Sequence, residues 1–245
     1  MKNKSEVIKH SAAIHMQNNI TLLQRRAWNA LLADAYDQLP TKERYSVKVK
    51  DLMRTLEFGS HNEEYLKEAL RALITCKVEW NVLGKDRTKD WIATTLLAAA
   101  RITNGVCAYA HAPTLREGLH NPRMYARLNL SMQNKFNSKH AQALWELCVD
   151  ALDEVRKFGE TPFISLADYR KFLGLPEDVY PEFKKLNKWV IKDPLAEVNR
   201  VTDFEVKVDY KREGRQVNAV KFKVRQVVRL PDRATKQGEL WTGAQ

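Results

Sequence analysis

Disulfide pairs, histidine metal motifs and long apolar runs are all missing from this sequence, and each absence closes off a class of protein. Three cysteines, Cys76, Cys107 and Cys148, are odd in number and scattered without paired spacing; no disulfide framework is expected, and a reducing compartment fits. The longest apolar stretch, 92–100, contains two threonines and is about half of what a membrane span needs. The first ten residues carry lysines with no apolar run behind them, so no signal peptide is expected. The expected setting is cytoplasmic, with no membrane partner.

Chemistry is equally thin. The histidines His10, His15, His61, His111, His120 and His140 form no HxH or HExxH pair. Cys107 and His111 stand four apart on a predicted strand, far from any second ligand pair, and core filling outweighs zinc as their role. Gly84-Lys85 lacks the preceding glycine of a phosphate-binding loop and runs into aspartate. No carboxylate pair has an interpretable spacing, and the His-hydrophobic-His metal motif of DNA-nicking enzymes is absent. No enzyme, metal or cofactor is expected.

What is present is charge. The chain has 245 residues, enough for two ordinary domains, and its apolar content of 44% gives each half a core. A formal net charge of +11 exceeds what a solvated surface needs and points to a polyanionic partner.

The apolar spacing divides the chain into a polar segment over 1–19, expected to be frayed, a first domain over 20–127, a second over 128–230 and a polar tail over 231–245. From Ile20, Leu22, Leu23, Ala27, Trp28, Leu31, Leu32, Ala35 and Leu39 mark a helix that Pro40 stops. A short alternating strand through Tyr45, Val47 and Val49 follows, then a helix over 51–58 and another starting from an Asn62 cap. Strands at 76–83 and 91–101 flank the polar turn 84–87, and a further strand lies at 106–110 beyond Asn104-Gly105. Helix, strand, two helices and hairpin is the order of a winged helix. The order repeats: a helix capped by Ser138, a short strand at Phe163 and Ile164, a helix from Ser165 to Leu173 closed by Gly174, a helix capped by Asp178 with Asp193-Pro194 restarting it, then strands 204–209 and 217–224. The fold class expected is α+β, with two tandem winged-helix domains.

In a helix-turn-helix the second helix enters the major groove. Here that helix carries Lys184, Lys188 and Lys192 four apart, with Lys185 beside them and Arg200 further on, and Asn187 has the chemistry to read adenine. Taken alone, the stripe reads equally as a solvated amphipathic face; its place before a hairpin tipped by Lys211, Arg212 and Arg215 favours DNA. The matching helix of the first domain offers Lys67 and Arg71 among Glu63, Glu64 and Glu68, and its hairpin turn adds Lys85, Arg87 and Lys89. Weaker, backbone-directed contact or subunit pairing is expected there.

The second half resembles the iteron-type plasmid replication initiator family. The resemblance rests on Leu144-Trp145-Glu146, on Tyr169-Arg170 with Leu173-Gly174, on Tyr180 to Phe183, on Glu197-Val198-Asn199, and on Arg215 to Phe222. It covers about 125–225 by motif and the first half by order of elements; Trp145 replaces a tyrosine, Val198 an isoleucine, and Ala219 and Val220 blur the last motif. The resemblance implies a non-enzymatic protein that binds repeated double-stranded sites at an origin and helps to open it. It also implies the host initiator and the replicative helicase as partners. Monomers would act at the repeats, and a homodimer joined through the first domain would repress the chain's own gene. The second domain would read sequence most strongly. A dimeric winged-helix transcriptional regulator would use the same scaffold on another target.

Overall fold

The computed structural model describes residues 5–17, 19–57, 63–79, 92–120 and 125–227. Polar as it is, the segment before the first long helix is folded over 6–14. β1 (Glu6–His10) runs antiparallel to residues 125–129, and α1 (Ser11–Ile14) follows with all four residues buried. The expected fraying of 1–19 is corrected over this stretch. Hydropathy misses it because Lys9 and His10 are buried, and Lys9 is held by a carboxylate far along the chain.

Thr21 opens α2 (Leu22–Ala35) with a reciprocal cap: its hydroxyl accepts from the Gln24 amide, and its own amide donates to the Gln24 side chain. β2 (Tyr45–Lys48) buries Tyr45 and Val47 and exposes the residues between. α3 (Val49–Thr55) leads toward α4 (Glu63–Thr75), whose buried Leu66, Ala69, Leu70 and Leu73 form the expected stripe. β3 (Lys77–Glu79) pairs with β4 (Ala93–Thr95) as a two-stranded sheet of its own. The domain's principal sheet instead has the order β2-β6-β5, made by β5 (Leu97–Thr103) and β6 (Val106–His111).

The strands expected on either side of 84–87 do pair, as β3 with β4, while 84–87 itself lies outside the described residues; the hairpin of the principal sheet turns at Asn104-Gly105. Asn104 and Gly105 both have positive φ, 51° and 72°, the two-residue turn that suits the twist of a hairpin. The polar run looked like the better turn, but the Asn-Gly pair closes the hairpin that belongs to the domain's sheet. α5 (Pro113–Leu119), β7 (Tyr125–Asn129) and α6 (Leu130–Gln133) complete this half.

α7 (Lys139–Ala151) is capped by Ser138 and buries eight consecutive residues, Ala141 through Cys148. A helix buried all round lies between packed bodies, and α7 has α1, α2 and β7 on one side and the second domain on the other. After it come β8 (Leu152–Asp153), β9 (Phe158–Glu160), β10 (Ile164–Ser165), α8 (Leu166–Leu173) and α9 (Phe183–Leu186). α10 (Asp193–Val201), β11 (Phe204–Glu213) and β12 (Gln216–Gln226) follow. β12 pairs with β11 along one edge and with β10 and β9 along the other. In each half the short strand after the first helix pairs with the hairpin's second strand, β2 with β6 and β10 with β12. The fold is two winged helices in tandem.

A polar knot lies where β1, α2 and α7 meet. Glu146 is wholly buried; one carboxylate oxygen accepts from Lys9 Nζ at 2.7 Å and Arg25 Nη1 at 3.1 Å, the other from Asn29 at 2.9 Å and Gln142 at 3.2 Å. Lys9 also lies 4.6 Å above the Trp28 ring. Burial alone would raise the Glu146 carboxyl, but the charges of Lys9 and Arg25 outweigh it and hold the group at about 2. Nearby, His15 Nε2 and the Ser11 hydroxyl reach the Asp150 carboxylate at 2.8 and 2.5 Å, joining α1 to the end of α7.

Candidate nucleic-acid interface

The helix-turn-helix of the second domain starts with a sharp stop. α8 is capped by Ser165, whose hydroxyl accepts from the Asp168 amide, and ends at Gly174 in the left-handed region at φ 61°. Arg170 then ties the turn: its guanidinium donates to the carbonyls of Val179 at 2.8 Å, Tyr180 at 2.6 Å and Pro176 at 3.4 Å. Tyr180 has φ 55°, and Pro181 disfavours the helical region for it, so the next helix begins at Phe183 rather than behind an Asp178 cap. Replacing Arg170 with alanine should destabilise the chain by about 2 kcal/mol, the scale of charge-assisted hydrogen bonds lost. Lysine should not restore it, since a point donor cannot span three carbonyls. Urea unfolding reads both; an unchanged midpoint for the alanine variant would mean the turn holds without its clamp.

The expected restart at Asp193-Pro194 is no break. α9, a π-helical stretch Asn187–Lys192 and α10 run on as one helix. Pro194 has no N–H to give the Val190 carbonyl its α-helical partner; the buried Tyr169 hydroxyl donates to that carbonyl at 3.3 Å, while the Asp193 amide reaches back five residues to Lys188. Leu186, Val190, Ile191, Pro194 and Val198 face the core. Lys184, Lys185, Lys188, Trp189 and Lys192 face outward and are exposed.

Two contacts outside the core fix this helix to the wing. The Tyr210 hydroxyl donates to Asn187 Oδ1 at 2.5 Å, with the Phe183 ring edge-on to Tyr210. Asn199 brackets Val206, accepting its amide at 2.6 Å and donating to its carbonyl at 3.0 Å. Asn187, which the sequence suggests as an adenine reader, is half-buried and engaged in joining helix to wing. Tyr210 and Asn199 were not legible as positioning residues, although Asn199 closes the Glu-Val-Asn motif. The wing carries Lys211, Arg212 and Arg215 exposed at its tip, where Gly214 supplies φ 59° and Arg212 reaches the Arg215 carbonyl. Arg200 stands at the far end of α10, 3.9 Å from Glu197.

The first domain differs in charge. On α4, Lys67 pairs with Glu63 at 3.0 Å and Glu64 at 3.5 Å, and Arg71 pairs with Glu64 at 3.1 Å. Its two cations are thus compensated by acids on the same face. Lys85, Arg87 and Lys89 lie outside the described residues. Among the described residues, no group of three or more His, Cys, Asp or Glu side chains could hold a metal ion, and no helix is long and apolar enough to cross a membrane.

Family models match both halves: residues 6–149 fit the first winged helix of the initiator replication proteins and residues 165–224 the second. The chain belongs to the initiator replication protein family. A curated relative, a replication initiation protein of Escherichia coli, is 28% identical over 102 residues, which are 42% of this chain and 31% of the relative; the chain matches about a third of that protein's length. The crystal structure of the Pi initiator protein in complex with iteron DNA has a TM-score of 0.67 at 16% identity, covering 92% of this chain and 99% of that one, a likeness of fold.

In this member of the family the two domains are tied together. The connection at 134–138 is gripped from both sides: Arg26 of α2 donates to the carbonyls of Phe136 and Asn134, and Glu197 of α10 accepts the Asn137 amide at 2.6 Å. Asn134 also donates to the Thr55 carbonyl at 2.8 Å, and Lys171 of α8 meets Glu79 of β3 at 2.7 Å.

Proposed function

We propose that this initiator starts replication of a plasmid by binding repeated double-stranded sites at its origin and helping to open them. One observation carries the reading: Lys184, Lys185, Lys188 and Lys192 are exposed on the outward face of the 183–201 helix, and the wing joined to that helix through Tyr210 has a basic, exposed tip, while what fixes the helix faces inward or sideways. Phosphates want mobile cations beside a groove, and a helix held at both ends presents its free face to base edges. The second domain is the main reader of sequence, through Lys184, Lys185, Lys188, Lys192, Arg200, Lys211, Arg212 and Arg215.

The first domain makes backbone contacts and pairs subunits. The compensated charge on α4 and the exposed Ala98 and Ala99 on β5, which ends its sheet, support that division. A homodimer in equilibrium with the monomer represses the chain's own gene, and the host initiator and replicative helicase complete the cytoplasmic assembly, as in the family.

The test is a titration of the full chain on duplexes carrying the tandem repeats beside its gene and on scrambled duplexes, across salt. The expected preference is at least about a thousand-fold. Changing Lys211, Arg212 and Arg215 together to glutamine should lower the salt slope by about 3, near 0.9 for each phosphate contact released. Equal affinity and slope would remove the wing from the interface. A plasmid that replicates normally without the gene would leave a transcriptional regulator in place of an initiator.

A further inference from the structure

Seven large apolar side chains are exposed among the described residues, and Trp189, at 47%, is the one on the outward face of the 183–201 helix. An indole half in water gains from burial, and its amphipathic ring is of the kind that interfaces use. Its surroundings are cationic. Lys188 Nζ lies 4.1 Å above the ring, and Lys184, Lys185 and Lys192 share the face; of these, Lys185 has an acidic partner, Glu182 at 3.0 Å. An apolar protein partner would have to bury those ammonium groups. Duplex DNA would neutralise them and still offer an apolar contact. In the major groove that contact is the thymine 5-methyl group, since the other base edges there present hydrogen-bond donors and acceptors.

We propose that Trp189 is a specificity-determining residue that reads thymine in the major groove through its 5-methyl group, with Lys188 held over the indole and aimed at the adjoining backbone. The inference rests on the DNA-binding reading above and deepens it. The π-helical stretch belongs to the same device, because it places Trp189 on the outward face while the next two residues, Val190 and Ile191, are both buried.

The test uses a duplex selected by the full chain from a random-sequence pool. Each thymine is replaced in turn by uracil, which removes the methyl and nothing else. Wild-type protein should lose about four-fold in affinity at one or two positions, the worth of one buried methyl-sized group. Trp189→Ala should show no loss at those same positions, while Trp189→Phe keeps part of it. Because the side chain is half exposed, the thermal midpoint of both variants should stay within about 2 °C of wild type, as for surface substitutions. Three results would overturn the proposal: no uracil-sensitive thymine in wild type, the same sensitivity in Trp189→Ala, or a uniform loss on all duplexes, which would make Trp189 a backbone contact. Failure of the pool to yield any preferred duplex would sink the DNA-binding reading as well.

Discussion

Changing Glu146 to alanine should destabilise the chain by about 3–5 kcal/mol, enough to unfold a protein of ordinary stability. The reason lies in what would remain. Lys9 and Arg25 both point at this carboxylate from a buried site, and without it both cations lose this charge partner while staying out of water. Glutamine keeps the shape and two of the hydrogen-bonding positions but not the charge, so Glu146→Gln should fall between. Replacing Lys9, Arg25 and Glu146 together by methionine should recover most of the loss, because a knot with no charges has none to desolvate. Urea unfolding at neutral pH measures all three, and a loss below about 1 kcal/mol for the alanine variant would mean that water reaches the site. Acid provides a second readout. The folded-state carboxyl titrates at about 2, below its ordinary 4.5. Its stabilisation is therefore complete above about pH 4.5 and disappears as pH falls toward 2. Glu146→Gln should lack that part of the acid transition.

A change in DNA spacing should be nearly as damaging to binding. The grip of Arg26 and Glu197 on residues 134–138, the Lys171–Glu79 pair and the buried α7 leave little play between the two winged helices. If both domains engage one site, inserting about five base pairs between its halves turns one half to the opposite side of the duplex. The affinity should fall about a hundred-fold, roughly half of the free energy that separates specific from non-specific binding. Arg26→Ala combined with Glu197→Ala should shrink that penalty several-fold while leaving affinity for the natural spacing within about ten-fold. Equal binding of both spacings by the wild-type chain would show that the domains act independently.

The order of elements was legible because each depends on local signals. Thr21 and Ser138 cap their helices, the 3.6-residue stripe of α4 is regular, and Gly174 stops α8 where a left-handed residue is required. What sequence could not supply is partnership at a distance. β1 has the composition of a solvated tail; its pairing with β7 and the carboxylate 137 residues away that holds Lys9 explain its burial. The start of the 183–201 helix was misplaced because Asp178 is a good cap in isolation, whereas Arg170 and Pro181 fix the turn differently. The lysines on that helix were found by spacing. The tie between Asn187 and Tyr210 was not legible, because the two residues lie on different elements.

The way the 183–201 helix is held has an evolutionary corollary. Its attachments are made by Leu186, Val190, Ile191 and Val198 below and by Asn187 and Asn199 at the flank, so its outward positions bear no structural duty. Substitutions at Lys184, Lys185, Lys188, Trp189 and Lys192 should then leave the scaffold as it is. If that face reads the origin, as proposed, two chains that differ at those five positions alone would ignore each other's sites, and their replicons could coexist in one cell.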